Sequence, residues 1–486
     1  MKHVKQLLSA LLVLAVVLSL LPAGVLKASA AEALAALDIG YPTFKNTELL
    51  DEVYDLSKLG VSYSEKDIMM AIYKQDLANG GDSFYMDRIL AREGVCNGNA
   101  GSNGNADGNT FLTRGRALYM YTSSPSVIGF GGNTAYHQPL GRGDLVRVLF
   151  SNADGSLTTK EDTSKRVNAP SNWSSTYSVG SNLTLDVVKF IHQENVAVTT
   201  MTLTNKSAED QAITVAADSI FATEPGKVTV NGAEQTELTG TCSSPAGLTT
   251  IYARMTGDGF EAASSDDYCW LSRDVTVPAG GSVELKVVIA FTTEEIPEST
   301  EQYLRFAGLG NLEAVRAQKA EYNLYWAENL PYIDVPKKAV QKAIDYRWWL
   351  ERFNSLDANI PGYDYQYPVT IEGVLGYNNA IILTQPMHLQ DTKWLRSPYL
   401  AYGQLLSAGN SSQSSAFLDN PGNRNNWNNH YGQYLAEAGY EAFNVIGGGA
   451  EVAENFAYYF GHDATGQLEH YGNHIEGRDL IAYRNN

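Results

Sequence analysis

Cysteine is the first scarcity: 486 residues hold three, Cys96, Cys242 and Cys269. They leave one candidate bridge, Cys242 with Cys269, which stand at similar distances on either side of the turn-like Gly257-Asp258-Gly259. Basic residues are the second, 35 against 54 acidic, and a formal charge of -19 repels nucleic acid and anionic lipid. Acidic blocks are missing too. The charge is scattered through a chain with 44% hydrophobic residues, which excludes an acidic disordered tail. Long apolar runs are absent after Leu7 to Leu21, and that run is shorter than the ~20 residues a spanning helix needs.

What is present begins with that run. Lys2, His3 and Lys5 precede it and Ala28-Ser29-Ala30 follows, the pattern of an export signal over residues 1–30 with a mature start at Ala31. Its loss removes Lys2, Lys5 and Lys27 and no acid, so the exported chain is more acidic still and carries no integral membrane segment. Residues 31–96 read as a helical N-terminal segment, with Leu49, Val53, Leu56, Ile68, Ala71 and Ile72 at helical spacing. Cys96 lies in Gly94-Val95-Cys96-Asn97-Gly98, the outline of a nucleophile elbow without the strand before it and helix after it that an elbow needs. Residues 97–109 form a Gly/Asn-rich linker, too poor in carboxylates for calcium.

From 110 to 295 short β-type runs alternate with turn residues. They include 117–121, 145–150, 183–191, 196–203, 212–217, 249–255 and 283–291, and predict an antiparallel β-sandwich whose strands have one wet and one dry face. Arg142-Gly143-Asp144 within it is a chance tripeptide. Residues 296–335 predict a linker helix with Leu312, Val315, Tyr322 and Trp326 on one face, stopped by Pro331. Residues 336–486 predict helix hairpins, the first over 337–353 with a stripe of Val340, Ile344 and Trp348, then 376–389, 399–407, 429–445 and 452–460.

One interruption carries chemistry. Tyr363, Tyr365, Tyr367 and Pro368 lead into Thr370-Ile371-Glu372-Gly373, which sets Glu372 beside aromatic rings near a helix start. Desolvation by the rings raises the pKa of such a carboxyl and the helix dipole lowers it; a general acid at neutral pH needs the first to win. Around it cluster Trp348, Trp349, Asn378, Asn379, Gln385, His388, Asp391, Trp394 and Arg396, then Asn423 to His430, NRNNWNNH. Aromatic faces stack on sugar C–H surfaces while amides and carboxylates bond hydroxyls, so Tyr365, Gln385, Asp391, Trp427, Asn429 and His430 are candidate carbohydrate ligands. Trp348 and Trp349 read as core. His462, His470 and His474 lack the zincin pattern, and neither metal nor cofactor is expected.

The order of parts, a β-sandwich, a helix ending in NLYWAENLPYIDVP, then hairpins carrying YRWWLERFN, resembles the six-hairpin glycosidases. The resemblance covers residue 110 to the C-terminus. It implies a β-supersandwich followed by an (α/α)6 toroid, and a general acid between the first two toroid helices, where YPVTIEGVLG stands. Glu372 is then the catalytic acid of a secreted glycoside hydrolase, with the β-L-arabinobiosidases as nearer relatives. The 151 residues from Pro336 to Asn486 make a partial (α/α)6 toroid of about six helices at an average length near twelve, so the chain is expected to be C-terminally truncated. The second carboxylate that glycoside hydrolysis requires is unassigned among Asp391, Glu437, Glu441, Asp463, Glu469 and Glu476. The other reading is a non-catalytic carbohydrate-binding or cell-surface interaction protein. A lyase acting on acidic sugars fits poorly with so acidic a chain.

Overall fold

The computed structural model describes residues 65–81, 84–93, 118–120, 127–131, 133–136, 138–142, 145–219, 228–230, 236–243, 250–265, 268–292, 298–333, 335–356, 368–370, 384–411, 417–418, 428–429 and 435–447. Residues 1–30, Cys96, the 97–109 linker, Gly143, Asp144 and the three late histidines lie outside them.

Alternating side chains build two antiparallel sheets. The larger has nine strands in the spatial order Arg92–Glu93, Thr159–Asn168, Trp173–Val179, Leu183–His192, Val196–Asn205, Ser282–Thr292, Thr250–Gly257, Glu237–Ser243 and Val228–Val230. The other runs Glu261–Ser265, Tyr268–Val277, Gln211–Asp218, Val146–Asn152 and Gly129–Phe130, with Gly155–Ser156 appended to Val146–Asn152. Leu185, Val187, Met201, Leu203, Leu285 and Val287 of the larger sheet share one core with Val148, Phe150, Ile213, Val215 and Leu271 of the smaller. The hairpin joining Leu183–His192 to Val196–Asn205 turns at Asn195, a buried asparagine at φ 61°, a conformation that residue tolerates better than most.

The strands predicted from alternation match those observed; Val146–Asn152 and Trp173–Val179 keep a wetter face, and the central Val196–Asn205 does not. Val196–Asn205 is buried on both faces, because the side opposite the smaller sheet is covered by helices. There Phe190, Val196, Val198, Val288 and Ala290 pack against Tyr303, Phe306 and Ala314. Two buried lysines lie on this sheet, one to each face. Lys189, between the sheets, donates to the carbonyls of Gly129 at 2.7 Å and Val127 at 3.0 Å, over the Trp173 ring at 3.9 Å. Burial holds its ammonium well below the usual lysine range, with Glu161 opposing. On the helix side, Lys286 donates to the carbonyl of Leu309.

Among the described residues the helices are α1 (Glu65–Ala78), α2 (Tyr85–Leu90), α3 (Glu298–Gly308), α4 (Asn311–Asn329), α5 (Lys338–Phe353), α6 (Gln385–Thr392), α7 (Tyr399–Ser411) and α8 (Leu435–Ile446). The expected linker helix is thus two, broken at Leu309 and Gly310. Glu313 reaches back to accept the Gly310 N–H at 3.3 Å and starts α4 afresh. The predicted face of α4 is also corrected: Leu312 is exposed, and the buried line is Ala314, Gln318, Tyr322 and Trp326. Residues 428–429 pair as a strand with Phe417–Leu418, so the helix expected from Asn429 begins at Leu435.

The Cys269 thiol is free and buried, which removes the expected bridge. The two cysteines stand in different sheets, Cys242 paired with Ile251 and Cys269 with Ser264. No helix among the described residues is long and apolar enough to cross a membrane.

Candidate functional site

The two stretches that carry the family resemblance meet. Arg352 of α5 lies over the rings of Tyr325 at 3.8 Å, Tyr322 at 4.2 Å and Trp326 at 5.3 Å, all from α4, and donates to the Tyr322 carbonyl at 3.2 Å. A guanidinium stacked on three rings docks the helices through cation–π attraction and buried area together. Trp349 stacks on Phe353 with centroids 5.2 Å apart, and Trp348 donates its indole N–H to the Asp391 carbonyl at 3.2 Å, so both tryptophans serve the core. Of the stripe expected of α5, Trp348 is buried and Ile344 packs against the core, but Val340 is exposed while Gln341 and Asp345 are buried.

The C-terminal end of α5 abuts the strand Val369–Thr370, the segment leading to Glu372. Val369 and Thr370, both 1% exposed, pair with Leu356 and Ser355 just past the end of α5. Gln385, at the start of α6, donates its amide to the Thr370 carbonyl at 3.0 Å. One turn on, His388 Nδ1 lies 2.9 Å from Glu351 Oε1 and 3.1 Å from Oε2. An ionised carboxylate only accepts, so in that state the imidazole carries its hydrogen on Nδ1. From the other side α7 presses on Pro368 at Gly403: a Cβ there would stand 2.5 Å from the proline Cγ and 2.6 Å from its carbonyl oxygen. Only glycine permits that approach.

Burial pushes the Glu351 carboxyl above the usual glutamate range; the charge and hydrogen bond of His388 and the Thr370 hydroxyl pull against it, and Asp391 adds to the rise. The result is a buried carboxyl hydrogen-bonded to an imidazole. Around it the polar layer continues through Thr392, whose hydroxyl donates to the His388 carbonyl at 2.7 Å, to Gln404 at 3.5 Å. The side-chain oxygens of Gln385 and Gln404 are buried with no hydrogen-bond donor among the described residues.

Of the residues expected in a sugar site, the structure describes the side chains of two. Gln385 is 2% exposed and faces Thr370. Asp391, at the far end of the same helix, forms a two-pronged pair with Arg347, with Arg347 Nε 3.2 Å from Oδ1. Asn429 is described as backbone in a strand; Glu372, Tyr365, Trp427 and His430 lie outside the described residues. Among the supporting residues, Trp394 is 53% exposed and set apart from the layer. Sequence reasoning missed Glu351. Its signal was available in YRWWLERFN, where it stands one helical turn past Trp348, which its face then takes inside. Among the described residues no three His, Cys, Asp or Glu side chains converge as metal ligands.

No family model matches the chain. Solved structures similar to it include a family GH92 inverting mannosidase from Bacteroides thetaiotaomicron, with 14% identity and a TM-score of 0.43, covering 73% of this chain and 53% of that one. A family GH92 α-mannosidase from the same organism has 10% identity and a TM-score of 0.35, covering 73% and 55%. A candidate kojibiose phosphorylase from the human microbiome has 11% identity and a TM-score of 0.43, covering 62% and 45%. The chain spans about half the length of these solved structures. Likenesses this remote have no weight on what the chain does.

Proposed function

We propose that this chain is an exported glycoside hydrolase, with residues 1–30 as its signal peptide and Glu372 as its proton donor. The two sheets are read as a β-supersandwich, and α5 to α8 as the opening hairpins of an (α/α)6 toroid. The observation that carries the reading is the anchoring of Thr370. The segment between α5 and α6, where the resemblance expects the acid, is fixed two residues before Glu372 by buried contacts from both helices. Covalent reach then keeps the Glu372 Cα within about 7 Å of that anchor.

In the reaction, Glu372 gives its proton to the glycosidic oxygen as the bond to the anomeric carbon breaks. A second carboxylate takes a proton from the water that adds to that carbon, the inverting course the resemblance implies. Tyr365, Trp427, Asn429 and His430 hold the sugar, Asp391 joins them only by giving up its pair with Arg347, and Gln385 supports them through the Thr370 backbone. The carboxyl-rich surface disfavours nucleic acid and acidic glycans as partners.

The test is hydrolysis of alkyl glycosides and plant oligosaccharides, whose leaving groups need protonation, by the purified full chain and by Glu372→Gln. The expected outcome is turnover that falls by about 10²–10⁴-fold in the variant. Equal turnover by both would remove Glu372 from the reaction, and saturable sugar binding without turnover would favour the non-catalytic carbohydrate-binding reading.

A further inference from the structure

The polar layer at the junction of α5, α6 and α7 holds a titratable pair that the proposed reaction does not use. Glu351 is 7% exposed and spends both carboxylate oxygens on His388. A glutamate so occupied is a poor nucleophile and a poor ligand for a sugar hydroxyl. What it has instead is leverage. His388 and Gln385 lie three residues apart on α6 and so share a face, and from that face Gln385 grips the Thr370 carbonyl while His388 is held by Glu351 of α5. Thr370 itself pairs with Ser355, four residues beyond Glu351. The loop of contacts therefore closes on itself: α5 to α6 through Glu351 and His388, α6 to the strand through Gln385, and the strand back to the end of α5 through Ser355.

We propose that Glu351, acting through His388, is the positioning residue for the strand Val369–Thr370, a role that rests on the reading of Glu372 as the acid for its consequence in catalysis. A charged acceptor buried against an imidazole N–H is stronger than a neutral one, and here it sets the separation of α5 and α6 across which the strand is stretched. The cost of burying the carboxylate, visible in its raised pKa, is the reason an apolar contact would have been the cheaper way to pack two helices. The pair is therefore present for placement. Asp391 and Arg347, the nearest other charges between the same helices, lie on the exposed side and close a separate pair.

The proposal is tested by hydrogen exchange of the peptide spanning 366–372, read beside steady-state kinetics, in the full chain. Glu351→Gln is expected to speed exchange of Val369 and Thr370 by about tenfold or more, with the strand Leu183–His192 unchanged. It should lower kcat with little change in KM, because a misplaced acid affects the transition state more than the bound substrate. His388→Leu should match it. His388→Asn, whose amide reproduces the Nδ1 donor, should restore both protection and kcat, which a merely structural substitution would not do, and it also covers the case in which Glu351→Gln does not fold. Glu372→Gln should lower oligosaccharide turnover by about 10²–10⁴-fold and leave exchange as in the wild type. Unchanged exchange in Glu351→Gln, or loss of protection in His388→Asn equal to that in His388→Leu, would overturn the positioning role. If the wild type turns over no glycoside, the proposed function fails, and the exchange result alone decides the positioning role.

Discussion

Between the two sheets Leu185, Val187, Met201, Leu203, Leu285 and Val287 are buried beside Lys189; at the junction of α5, α6 and α7 the buried polar side chains Glu351, Thr370, Gln385, Thr392 and Gln404 stand beside Val369, Leu389 and Leu405. The first set is an apolar layer of the kind that drives folding, each side chain contributing about 1.5–3 kcal/mol by leaving water. Where a charge enters the β part it is fully engaged, as Arg166 is by Glu161, with Arg166 Nε 2.7 Å from the carboxylate. The second set gains less from burial. The contrast is one of proportion, since buried side-chain atoms without a partner among the described residues, such as Tyr177 Oη and Thr199 Oγ1 beside Gln385 Oε1 and Gln404 Oε1, occur in both regions: apolar burial dominates between the sheets, polar contacts around the strand Val369–Thr370.

Three substitutions sharpen or break that contrast, in descending order of effect. Leu285→Ala, at 0% exposure between the sheets, should cost about 2–5 kcal/mol in chemical denaturation through lost burial and the cavity left behind. Gly403→Ala should cost about 1–3 kcal/mol, because the new methyl meets the Pro368 ring and carbonyl and has to displace them. It should also depress turnover, since Pro368 leads directly into Thr370. Gln404→Met should change stability by less than about 1 kcal/mol in either direction, the lost 3.5 Å contact to Thr392 being offset by removal of an unsatisfied acceptor. A cost from Gln404→Met as large as that from Leu285→Ala would mean that the polar layer is ordinary core, and the contrast would fall.

The β part was legible because its period of two survives in the sequence, and strands such as Leu183–His192 and Ser282–Thr292 lie within a residue or two of their expected bounds. The covering of their second face was not. Which sheet face Phe306 and Ala314 would meet depends on the break at Gly310, and a single glycine beside Leu309 does not disturb a helical apolar pattern. On α5 the pattern misled for a physical reason. Apolar periodicity selects Val340, whereas the helix turns Gln341 and Asp345 inward, where the Gln341 amide donates to the Asp345 carboxylate. The site was legible in part. Gln385, His388, Trp348 and Trp349 were singled out by residue type, and the contacts that join them to Thr370 are set by tertiary packing across α5, α6 and α7, which spacing along one chain does not encode.

The most direct test of Glu372 as the proton donor is the dependence of hydrolysis rate on leaving-group basicity, in wild type and Glu372→Gln. An acid matters most when the departing oxygen is basic. The account predicts a shallow dependence in the wild type and a steep one in Glu372→Gln, with activated aryl glycosides largely spared and alkyl or sugar leaving groups losing about 10²–10⁴-fold. A uniform loss across all leaving groups, or none, would contradict it.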